Sequence, residues 1–178
     1  MVIFKKKNIS NNDILLVFAA CVFPIHLWSI INLLQVVPAW ILRATVWELA
    51  GVVAYTQIFA LTESALVFSV LLLLGLVLPY RLYAHKFVAL STALIILNSA
   101  WFIFIQYTYD AIRTWNAPRF LFLIAVYLLS LALTYWLVWR SNKLEMVIEA
   151  AIKRVAVLSF VYVALSVFSF FIVVVRNL

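Results

Sequence analysis

The chain has 178 residues, 69% of them hydrophobic and 11% charged, with a mean hydropathy of +1.18. A soluble domain carries roughly 25% charged residues, so a chain this apolar is expected to have lipid as its solvent. The net charge of +7 sits in short segments between apolar runs, not in a basic patch interleaved with exposed aromatics, which argues against nucleic acid as a partner and for membrane topology.

The length suits one transmembrane domain over residues 1–178. Cys21 is the single cysteine, so neither an internal disulfide nor a cysteine metal site is expected. "VFAAC" resembles a lipoprotein processing box. It departs from that pattern because only Ile14 to Phe18 precede the small residues, too few for a signal core of about 7–15 residues.

The first apolar run covers residues 14–37, with Asn11, Asn12 and Asp13 as candidate N-caps and Pro38 as the expected stop. Between Ala44 and Leu78 no lysine or arginine occurs. That run admits three arrangements: one tilted helix, an interfacial helix near Trp40–Glu48 followed by a span over 52–78, or two short helices broken at "LTES" with Thr62 as a cap. Three further runs follow at 87–107, 120–139 and 155–175, each near the roughly 20 residues a span requires.

Charge separates these options. With one crossing in the second run and a cytoplasmic N-terminus, the inside holds Lys5, Lys6, Lys7, Arg81, Lys86, Arg140, Lys143, Lys153 and Arg154. The outside holds Arg43, Arg113, Arg119 and Arg176, nine cations against four. Two crossings give six inside against seven outside. The positive-inside rule favours five spans; a re-entrant hairpin would keep the same parity. Trp40, Trp47 and Trp115 fall near the outer interface and Trp136 and Trp139 near the inner one, whereas Trp28 and Trp101 are expected to pack between helices.

"RSNKLEMVIEAAIKR", residues 140–154, places Glu145, Glu149 and Lys153 on one helical face and Leu144, Val147, Ile148, Ala151 and Ile152 on the other. It reads as a cytoplasmic amphipathic helix ahead of the last span. The predicted fold is therefore all-α: an integral membrane bundle of five transmembrane helices with a cytoplasmic N-terminus.

Polar residues recur at similar depth in these spans: His26, Glu63, Asn98, Ser130 and Ser166. An ionised carboxylate at mid-membrane costs at least about 2.5–3.5 kcal/mol on insertion scales, so Glu63 requires a proton or a partner. His26, Glu63 and Asn98 form the candidate mid-membrane cluster, read either as a ligand-binding or proton-accepting set or as a polar knot fixing helix register. Bis-histidine haem is disfavoured because the second histidine, His85, lies in an inner loop. No cofactor or metal is expected. The motifs of hydrolases, zinc proteases and nucleotide-binding loops are absent. Asp110 with Arg113 reads as an outer-loop charge pair, and Arg43 with Trp47 as an interfacial cation–π contact.

"LNSAW", Leu97 to Trp101, resembles a short piece of the tryptophan-rich sensory or translocator proteins, which also have five spans. Their tryptophan- and proline-rich first loop has no counterpart here, so their ligand site is not carried over. The five-span plan is also similar to the membrane anchor of envelope sulfatase-like and phosphoethanolamine-transferase enzymes, whose catalytic domain follows the spans.

The expected role is non-catalytic: an accessory or assembly subunit of a larger complex in a prokaryotic plasma membrane, with the bilayer and other membrane subunits as partners. The alternatives are a small carrier or ligand-binding protein using His26, Glu63 and Asn98, and a membrane partner of an envelope sulfatase-like or phosphotransferase enzyme.

Overall fold

The computed structural model describes residues 10–79 and 83–178. Lys5, Lys6, Lys7 and Arg81, which carry part of the charge bias, lie outside the described residues. The described chain is all-helical: α1 Asn11–Ile41, α2 Val46–Val77, α3 Phe87–Ile112, α4 Ala117–Arg140 and α5 Asn142–Asn177, with a short 3-10 turn, Ala84–Lys86, before α3. All five helices are long and apolar enough to cross a membrane. Helices are the expected outcome for such runs, since hydrocarbon offers no partner to a free peptide group.

The helix starts follow local chemistry. Ser10, not one of the asparagines, caps α1, in a capping box with Asp13. Thr45 and Glu48 form the same reciprocal box at α2: the Thr45 N–H donates to Glu48 Oε2 at 2.7 Å, and the Glu48 N–H to Thr45 Oγ1 at 3.3 Å. Asn116 and Ser141 cap α4 and α5.

Two expectations about boundaries change, and the three arrangements open for the second run reduce to one. Pro38 does not stop α1, which carries both Pro24 and Pro38 internally and ends at Ile41. Within α1, Pro24 withholds its backbone bond from the carbonyl of Ala20, and nearby the Ser159 hydroxyl donates to Ala19 O at 2.8 Å. The second run is one unbroken helix, α2, and Thr62 is no cap: its hydroxyl donates back to Ile58 O at 2.9 Å, inside the helix. Residues 142–154 form no separate helix, because α5 runs continuously for 36 residues, about 54 Å at 1.5 Å per residue. Part of its apolar stripe joins the protein core: Ile152 is buried and Leu144 and Ile148 pack beside it, while Val147 and Ala151 are exposed.

The helices alternate in direction. At one end, the starts of α3 and α5 meet the end of α4. The Lys86 ammonium donates to Val138 O at 3.1 Å and Asn142 Oδ1 at 3.0 Å, and pairs with Glu145 Oε2 at 2.9 Å. At the other end, Arg176 of α5 donates to Trp47 O and Glu48 O in the first turn of α2. Gly51 makes room for it, since a Cβ there would fall on the Arg176 guanidinium.

α1 packs against α2, α3 and α5, and α4 packs against α3 and, more lightly, α5. The buried faces of α2 and α5 use small residues: Gly51, Ala54, Ala60 and Ser64 against Ala156, Ser159, Ser166 and Ser169. Small side chains let helices approach closely where lipid supplies no hydrophobic drive. α4 is peripheral, and Val138 is its one buried residue.

Candidate functional site

The three residues expected at one depth are not brought together. His26 is fully buried between α1, α2 and α5, Asn98 lies at the α3–α4 seam, and Glu63 faces outward from α2.

His26 is held on both ring nitrogens. Nδ1 lies 2.9 Å from Val22 O, a carbonyl, so Nδ1 carries a proton and donates. Nε2 lies 3.0 Å from Ser166 Oγ. The Ser166 hydroxyl has one proton and three acceptors within reach: His26 Nε2, Tyr162 O at 2.9 Å and Gln57 O at 3.2 Å. With a neutral ring, the hydroxyl donates to Nε2. With a doubly protonated ring, Nε2 donates to Oγ and the hydroxyl turns to a carbonyl. Both states keep every His26 hydrogen bond. The ring also stacks on Tyr162, with centroids 5.5 Å apart and planes within 4°. Gln57 enters the site through its backbone carbonyl; its side chain is buried, and Oε1 has no hydrogen-bond partner.

Asn98 belongs to a different set. Its Nδ2 donates to Leu94 O at 2.7 Å, and its Oδ1 accepts from the Tyr127 hydroxyl at 2.7 Å. Trp101 Nε1 donates to Ser130 Oγ at 3.0 Å one turn along the same seam. Trp28 Nε1 donates to Gln106 Oε1 at 3.1 Å, tying α1 to α3. Both deep tryptophans thus bond between helices.

Glu63 has no hydrogen bond or ion pair among the described residues, where the ion pairs are Lys86–Glu145 and Lys153–Glu149. It stands on α2 next to the buried Ser64, whose hydroxyl bonds back to Ala60 O. One residue is a 100° step on a helix, which carries Glu63 off the core-facing side. The expected Asp110–Arg113 and Arg43–Trp47 contacts do not form among the described residues; the cation–π contact present is Arg140 over Trp136, at 5.4 Å. Arg43 precedes the cap of α2, so it does not share helical spacing with Trp47.

Depth counting had placed Ser166 with His26, but it did not find Gln57 or Tyr162. Ser159 and Ser166 are seven residues apart, two turns on one face, and that spacing marks the polar side of α5. Among the described residues no three His, Cys, Asp or Glu side chains gather around one point as a metal ion would require. In the loop before α3, the Tyr83 hydroxyl shares a 2.7 Å hydrogen bond with Ser91, and burial pushes the phenol above its ordinary value.

Neither the known protein-family models, nor the curated proteins, nor the solved structures offer a match to this chain.

Proposed function

We propose that this protein is a non-catalytic assembly subunit of a larger membrane complex, seated in a prokaryotic plasma membrane with its N-terminus on the cytoplasmic side. One observation carries the reading: the contrast between His26 and Glu63. His26 faces inward and takes both ring hydrogen bonds from its own bundle. Glu63 faces outward from α2 and has none among the described residues. A polar group in hydrocarbon requires a partner, and for Glu63 that partner lies outside the described residues, which supports a second subunit as its source. The charge bias of nine cations against four supports the orientation. An envelope enzyme acting as the partner is a special case of the same reading.

A second reading, a small membrane carrier, draws on the unpartnered Oε1 of Gln57, whose backbone carbonyl meets the Ser166 hydroxyl. It no longer has a Glu63–His26 pair to work with.

The test is native mass spectrometry of the protein extracted with its lipid. The assembly reading expects a species well above the 20.4 kDa of the chain. A lone monomer contradicts it, and ligand-dependent stabilisation lost in Gln57→Leu would favour the carrier.

A further inference from the structure

The outward side of α2 has an order that the assembly reading does not use. Phe59, Glu63, Leu66, Val70, Leu73 and Val77 are all exposed. Their spacings run four, three, four, three, four. This is the spacing that the heptad seam of a left-handed helix pair uses, with one polar residue among apolar ones. The seam lies roughly 100° around the helix from the core-facing Ala60, Ser64 and Leu71, each of which follows a seam residue by one position.

From this we infer that α2 docks against α2 of a second copy of the chain, with the two Glu63 carboxyl groups meeting across the two-fold axis. The inference rests on the assembly reading and names the partner of Glu63. A second copy inserted in the same orientation presents its own Glu63 at the same depth. No described lysine or arginine of the chain stands at that level, since none occurs within residues 14–37, 44–78, 87–112, 120–139 or 155–175. A carboxylic acid both donates and accepts. Two facing acids, or an acid and a carboxylate sharing one proton, therefore satisfy each other without a counter-ion. The surrounding Phe59, Leu66 and Val70 would interdigitate, and the single polar position would fix the register.

The experiment is oxidative cross-linking in proteoliposomes of the full chain in a Cys21→Ala background. Leu66→Cys and Leu73→Cys lie on the seam. Leu76→Cys is as exposed as Leu66, at 68% against 64%, but lies off the seam. The inference expects disulfide-linked dimers from the first two and little from the third. Adding Glu63→Leu should weaken dimerisation by about five- to tenfold, while Glu63→Gln, which still donates and accepts, should retain most of it. Equal linking at all three positions overturns the inference. If linking fails, the native complex separates the two levels. A stoichiometric foreign membrane protein lost in Glu63→Leu overturns the second copy and leaves the assembly reading standing. A lone monomer in lipid overturns both.

Discussion

The Lys86 ammonium lies 2.9 Å from Glu145 Oε2, where α3 begins, α4 ends and α5 begins. Lys86 is buried, and its remaining acceptors are Val138 O and Asn142 Oδ1, so all three of its protons have places to go. A buried ammonium is tolerated only when so satisfied. Here one side chain ties together three helices that the short connections would otherwise leave loosely joined.

Glu145→Leu strands that charge and should destabilise the protein by about 3 kcal/mol, the low end for a broken buried pair because Glu145 keeps some exposure. Glu145→Gln keeps an acceptor and should cost about 1 kcal/mol. Chemical unfolding in detergent reads the order of the two; equal losses would mean that the charge is not what holds the junction.

Ser166→Ala leaves His26 Nε2 buried without its partner and should cost about 1–3 kcal/mol. Replacing His26 by Phe preserves the flat ring against Tyr162 and removes the need for the bond. A double-mutant cycle should therefore show that the Ser166→Ala loss shrinks in the His26→Phe background. Simple additivity would show that the bond contributes nothing.

The α3–α4 seam depends on few polar bonds. Tyr127→Phe withdraws the donor from Asn98 Oδ1 and should loosen α4 by about 1 kcal/mol. Hydrogen exchange should rise in α4 and stay unchanged in α1 and α2. A uniform rise over all helices would argue against a peripheral α4.

Because α2 is continuous, a cysteine at position 63 sits well inside the apolar helix, whereas Ala44 lies in the loop before its cap. Membrane-impermeant maleimide should label Ala44→Cys from one side of the membrane and leave Glu63→Cys unmodified from either side. Ready labelling at 63 would restore the hairpin.

The five helices were legible because hydropathy alone identifies segments that must satisfy their own backbone in lipid. Their ends were not. Pro38 falls in the last turn of α1, outside the part that hydropathy measures, and residues 142–154 are polar enough to look separate while remaining helical into α5. The site was half legible. Depth counting brought His26 and Ser166 to one level, and they are bonded. It also put Glu63 there, although Glu63 is six residues, about 9 Å, along α2 from Gln57, the residue that does reach the cluster. Depth along a helix follows from the sequence; the direction a side chain faces follows from which helices are neighbours. The alternation of small and large residues in α2 carried that second signal, with Ala54, Ala60 and Ser64 inward and Phe59, Leu66 and Val70 outward.

The central claim is that the inward polar groups hold the fold while Glu63 holds an assembly. The most direct measurement is thermal unfolding together with native mass for Glu63→Leu and Ser166→Ala, each against the unaltered protein in the same lipid. The expected result is that Glu63→Leu keeps its helical content and shifts its mass distribution toward the 20.4 kDa species, while Ser166→Ala melts earlier and stays assembled until it unfolds. Loss of helical structure in Glu63→Leu, or an unchanged assembled mass, would contradict it.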